Sequence, residues 1–315
     1  MKNKTLIELE EYMSTEIVGM ESIVKQLLIA FLCEGHVLVE GVPGLAKTTI
    51  IKSFANALGL SFSRIQFSPD LLPADITGTE IFNQKTSSFS TRKGPLFANT
   101  VMADEINRAP SKVQSALLEA MEEKQVTIAD QTYALPRPYM VLATQNPIEH
   151  EGTYLLPEAQ LDRFIMKVLV DYPTQDNEIL IVKKKLNDEK NSEKKVSIKK
   201  KEIEELIEAS KKVYIDDMLL EYIVSIVDAT RNPKKIEMDP QSIVCGASPR
   251  ASIFLAKAAR AHAFLRGESY VNSDDIKEIA PAVLRHRLQL SYEAQAEEIT
   301  SDHFIKQLLS SIESP

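Results

Sequence analysis

"VEGVPGLAKTTI", residues 39–50, decides how this chain is read. An apolar run ends at Val39 and Glu40, glycines follow at Gly41 and Gly44, and then come Lys47, Thr48 and Thr49. The spacing nearly matches the phosphate-binding loop G-x-x-x-x-G-K-[ST], with Ala46 where the second glycine of the pattern stands. Such a loop turns successive backbone N–H groups toward a phosphate, sets a lysine ammonium on the outer oxygens and offers a hydroxyl to magnesium. Gly41, Val42, Pro43, Gly44, Leu45, Ala46, Lys47, Thr48 and Thr49 are therefore the candidate nucleotide-binding residues, with Thr48 also a metal ligand. Position 46 needs glycine only if its φ is positive or its Cα crowds the phosphate. With Gly44 as the permissive position, Ala46 fits the start of the following helix, and the loop is expected to work.

Further along, the apolar run "TVMA", residues 100–103, leads into Asp104 and Glu105. A strand ending in adjacent acids lets an ATPase set one carboxylate on the metal shell and the other on the attacking water. Asp104 is assigned to the metal and Glu105 to the water. The next strand candidate ends in "ATQNP" and places Asn146 at the carboxyl edge of a parallel sheet, where ligand-contacting residues collect. An amide there orients the same water, although an asparagine before Pro147 is also an ordinary turn residue.

The 315 residues are 44% apolar and 26% charged, which describes a globular chain long enough for two domains. A net charge of −8 argues against nucleic acid as a partner. Cys33 and Cys245 form no framework or C-x-x-C metal spacing and read as small buried or neutral residues. His36, His150, His262, His286 and His303 show no ligand spacing either. The amino terminus lacks an apolar signal core and no run of 18 uncharged apolar residues follows, so no membrane span and a cytoplasmic location are expected.

Residues 1–174 alternate short β-like runs, at 36–42, 62–67, 100–106, 139–146 and 164–170, with helical patterns. This predicts an α/β domain with a parallel sheet covered on both faces. Residues 175–315 read as a small all-helical domain; within it, the charge run at 183–205 interleaves acids with its lysines and reads as a solvated helix or linker. The stripe at 113, 116, 117, 120 and 121 is core. In "GASPRA", residues 246–251, Ser248 caps a helix with Pro249 at its first position, which puts Arg250 in the first turn at a positively poised helix start.

"IVGMESIVKQLL", "GHVLVEGVPGLAKT", "MADEINRAP", "VLATQNP", "LPEAQLDRF" and "GASPRA", in this order, resemble the MoxR family of AAA+ ATPases, over roughly residues 12–300. GVPGLAKT with its alanine is the family's usual form. The resemblance implies an ATP-hydrolysing, ring-forming, chaperone-like motor using ATP and Mg2+, with a hexamer as the expected ring and a helical lid after the nucleotide domain. It implies that Val18 and Gly19 lie near the adenine, that Arg163 is an arginine finger for a neighbouring subunit, and that Arg250 is the sensor-2 arginine, in cis or in trans. Read as a plain residue, Arg163 would instead pair with Asp162 or Glu158, and Arg108 would join either the subunit interface or a surface ion pair. Alternating residues at 81–97 and 125–135 read as hairpins, which the resemblance makes a helix-2 insert and a pre-sensor hairpin. Clients with a von Willebrand factor A domain, or enzymes needing metal or cofactor insertion, follow from the family. A metal-chelatase ATPase subunit and an ATP-binding scaffold with little hydrolysis are the alternatives.

Overall fold

The computed structural model of the chain describes residues 4–42, 44–45, 47–146, 154, 156–187, 198–236 and 239–315. Pro43, Ala46, His150 and the centre of the charge run, all read from sequence above, lie outside them. Two helices lead in, α1 (Lys4–Glu16) and α2 (Glu21–Leu32), and then strand and helix alternate. The order is β1 (Val37–Glu40), α3 (Lys47–Ala57), β2 (Phe62–Gln66) and the short α4 (Pro73–Thr77). A hairpin of β3 (Gly78–Asn83) and β4 (Ser88–Lys93) precedes β5 (Thr100–Asp104) and α5 (Ser111–Glu123). A second hairpin, β6 (Gln125–Ile128) and β7 (Gln131–Ala134), leads to β8 (Met140–Gln145), α6 (Glu158–Leu161) and β9 (Met166–Leu169).

The five strands foreseen from sequence form one sheet in the order β2-β5-β8-β1-β9, with every neighbouring pair parallel. β5 and β8 are buried on both faces almost throughout, which is why they read as unbroken apolar runs rather than alternating ones. Side chains still alternate by face: Val37 and Val39 join the core shared with α2, α3 and the later helices, while Leu38 joins the core under α5. Between β2 and β5 the expected second helix is reduced to the five residues of α4 before the hairpin takes over.

The rest of the chain is α7 (Gln175–Asn187), α8 (Lys200–Lys211), α9 (Asp217–Arg231), β10 (Ile243–Cys245), α10 (Pro249–Arg266), α11 (Ser273–Leu284), β11 (Gln289–Leu290), α12 (Tyr292–Ala296) and α13 (Ser301–Ser311). It is helical apart from the β10–β11 ladder, which is too short to leave a period in the sequence. Cys245 sits on β10 and is exposed, not buried. Asp216, Ser248 and Asn272 each cap the helix that follows them. Alanines 251, 258, 259, 261 and 263 on α10 are all buried, which lets α11 and α9 approach it closely. Among the described residues no helix is long and apolar enough to cross a membrane.

Candidate functional site

Strand register assembles the site. Glu40 lies beside Gln145, Gln66 beside Asp104, and Ala103 beside Ala143. Gly41, Glu105 and Asn146, each one step past its strand, therefore collect at the carboxyl edge of three adjacent strands, where an open parallel sheet binds ligands. Lys47 opens α3 and its Nζ donates to the carbonyl of Gly41, 2.5 Å away, across the turn the loop makes. Gly44 takes φ +88, and a Cβ added there would meet no atom within 4 Å, so this is the residue that absorbs the left-handed turn. Leu45 is buried, Val42 and Thr48 are half-buried, and Thr49 is exposed. Gly19, at φ +74, is packed against the side chain of Asn177, so residues 18–19 lie under the start of α7.

The two acids are held from several sides. Thr144 on β8 donates its hydroxyl to Asp104 Oδ1 at 2.6 Å and accepts the backbone N–H of Glu105 at 2.9 Å. Arg64 on β2 meets the other oxygen of Asp104 through Nε at 3.1 Å and Nη2 at 2.5 Å. Gln66 donates to Glu105 Oε2 at 2.8 Å, and Arg108 pairs with the same oxygen at 2.9 Å, so Arg108 makes the ion pair of its two readings. Glu105 sits at φ 57, ψ 51, a left-handed conformation that costs a side-chain-bearing residue roughly 1–2 kcal/mol. That backbone turn separates its carboxylate from that of Asp104 although the two are neighbours in sequence. Asn146 is buried at the same edge.

Arg163 and Arg250 are not brought to this edge. α5 leaves it after Pro110 and runs about 20 Å back along the sheet. At its far end Met121 accepts a hydrogen bond from His36 Nε2 (3.1 Å), the residue just before β1. His36 Nδ1 accepts from Val141 N–H, and burial pushes its pKa down to about 4, so the ring is neutral. The N–H of Ile165 meets the carbonyl of His36 at 2.8 Å, fixing Arg163 at this amino edge too. Here Arg163 Nε lies 2.8 Å from Glu122, and Arg250 Nη2 lies 2.7 Å from the same carboxylate. Arg163 thus pairs with Glu122, and with neither Asp162 nor Glu158. Asp162 instead accepts from the buried Arg287 (2.7 Å) and from Ser248 (2.8 Å). Burial lowers the Arg287 pKa to about 10, which leaves the guanidinium charged.

Residues 36–166 match the ATPase family associated with various cellular activities (AAA), and residues 239–308 match the AAA lid domain. Chaperone MoxR1 of Mycobacterium tuberculosis is 46% identical over 301 residues, covering 95% of this chain and 79% of that one. The chain belongs to the MoxR family of AAA+ ATPases. Protein YeaC of Bacillus subtilis is 43% identical over 97% of this chain and 93% of its own length. A crystal structure of a protein from Cytophaga hutchinsonii, 44% identical, superposes with a TM-score of 0.92 over 99% of this chain and 95% of that one. As an AAA+ ATPase the chain binds nucleotide and hydrolyses ATP.

Several residues that shape this MoxR-family site escaped the sequence reading. Arg64 and Gln66 alternate along β2 with no motif around them, and only the β2–β5 pairing brings them to the acids. Thr144 lies inside the quoted "VLATQNP" but has no motif signal of its own. Glu122 lies on the polar side of α5, where a glutamate carries no signal.

Proposed function

We propose that the chain is a Mg-ATP-driven, chaperone-like motor of the cytoplasm that remodels or matures client proteins and works as a ring, with six subunits as the expected number. The reading rests on one observation: the Gly41–Lys47 loop, the Asp104–Glu105 pair and Asn146 share one sheet edge, while Arg163 and Arg250 share the opposite one. Since a subunit's arginines stand the length of α5 from its own loop, they serve a neighbour's nucleotide, and Arg250 acts in trans like Arg163. An arginine supplied this way is worth about 10³-fold or more in rate. The division at residues 174/175 then separates a nucleotide domain from a lid whose first helix covers the adenine side at Val18 and Gly19.

At the carboxyl edge Lys47 neutralises the outer phosphates, Glu105 takes the proton of the attacking water and Asn146 orients that water. Magnesium is usually held by one or two carboxylates, substrate phosphates and waters rather than by a protein cage. Asp104 and the Thr48 hydroxyl suit that donor set, and no cluster of three metal-binding side chains competes among the described residues. Bound there with ATP, the ion would neutralise charge on the phosphates. Arg64 supplies a positive charge to Asp104. The name of the mycobacterial relative supports the chaperone-like role; clients with a von Willebrand factor A domain are proposed on family resemblance alone.

Glu105→Gln is expected to keep nucleotide affinity and lose turnover by about 100-fold or more, the scale of general-base catalysis. Lys47→Ala should weaken nucleotide binding itself. Affinity and steady-state turnover measured on both separate the roles, and wild-type turnover in Glu105→Gln would remove the water-activating role from that residue.

A further inference from the structure

Glu122 joins three elements at the amino edge. It stands on the last turn of α5, Arg163 lies in the turn after α6, and Arg250 lies in the first turn of α10. Its Oε2 is 2.8 Å from Arg163 Nε, and its Oε1 accepts from Arg250 Nη2 at 2.7 Å. Two guanidiniums this close repel each other, and their long side chains sample many rotamers; one carboxylate between them opposes both tendencies. The shortest contact to Arg163 is made through Nε, and a guanidinium is a fork that can grip a phosphate through two N–H groups. From behind, Ser248 and the buried Arg287 fix Asp162, which lies 4.0 Å from Arg250 Nη1.

We propose that Glu122 is a positioning residue that holds Arg163 and Arg250 together as one two-guanidinium clamp for the phosphates of the nucleotide on the neighbouring subunit. The inference rests on the shared-site reading above and adds to it the residue that organises the donated group. Glu119 and Glu123 line the same cleft beside Arg163. Neither pairs with an arginine among the described residues, so they control for local negative charge without touching the clamp.

In assembled protein, Glu122→Ala is expected to lower kcat by about ten- to a hundred-fold, part of what an arginine finger supplies. Nucleotide affinity measured on unassembled subunits stays unchanged, because each subunit's own loop is at the other edge. Glu119→Ala keeps wild-type kcat, and Glu122→Asp recovers part of the loss. Adding Glu122→Ala to an Arg163→Ala, Arg250→Ala double variant changes nothing further, since a residue acting only through the arginines has no separate effect. Polarity provides the sharper readout: mixed with Lys47→Ala subunits, which keep an intact clamp, Glu122→Ala subunits regain turnover, as a misfolded protein would not. A kcat at or above wild type in Glu122→Ala, with Arg163→Ala impaired, overturns the positioning role and leaves the shared site standing. So does an absence of recovery in verified mixed rings in which Arg163→Ala does recover. Full kcat in Arg163→Ala instead rejects the shared site, and the clamp with it.

Discussion

Thr144 and His36 are buried side chains that act at opposite edges of the sheet. The Thr144 hydroxyl both satisfies Asp104 and fixes the N–H of Glu105 in its left-handed turn. Thr144→Val keeps the shape and removes both bonds, leaving a buried acceptor unpaired at about 1–3 kcal/mol and a part-buried donor at less. We expect denaturant unfolding to show a loss of that order, with turnover reduced while nucleotide still binds. Unchanged stability and turnover would mean that neither bond matters. His36 concerns pH. Its folded-state pKa of about 4 lies below the ordinary value of 6.5, so the unfolded chain takes up the proton first as acid is added. The stability linked to the neutral ring is complete above pH 6.5 and is lost as pH falls from 6.5 toward 4, on the order of 3 kcal/mol in all. His286, also depressed by burial, acts in the same direction. A Tm profile between pH 7 and pH 4.5 should flatten in His36→Asn; an equally steep profile would assign the acid sensitivity elsewhere.

At the scale of elements, legibility follows sequence separation. The five parallel strands could be read because each is a short apolar run bounded by turn residues, and the carboxyl-edge residues because each directly follows its strand. Ser248 and Arg250 were legible as a cap and a first turn for the same local reason. The amino edge was not: Glu122 and Arg250 are 128 residues apart, and nothing near either one names the other. The anchoring of the helical part was equally hidden, since Arg287 looks like any surface arginine until burial brings its Nε onto Asp162, 125 residues away. Asp162→Ala would leave that guanidinium buried without its counter-charge. We expect a cost of about 3–5 kcal/mol in chemical denaturation, the range for breaking a buried pair from one side. A change under 1 kcal/mol would show that water or the carbonyls of Asp162 and Phe164 suffice for Arg287.

On the scale of the whole molecule, the proposed division of the site between two edges makes activity a property of the assembly. Specific activity should rise with protein concentration at saturating ATP and level off when sedimentation shows a single large species; a strictly monomeric preparation with full turnover would contradict this. The parallel sheet gives a further consequence. Because all five strands run the same way, the two edges are chemically unlike, and on the proposed reading one holds the nucleotide and the other completes it. A head-to-tail contact repeats the same donor-to-recipient junction from one subunit to the next. Two subunits placed head to tail have one finished site and two idle edges. Only closure of the circle gives every subunit both a donor and a recipient, so the last subunit added completes two sites where each earlier one completes one, and total turnover should rise at closure by twice the earlier step.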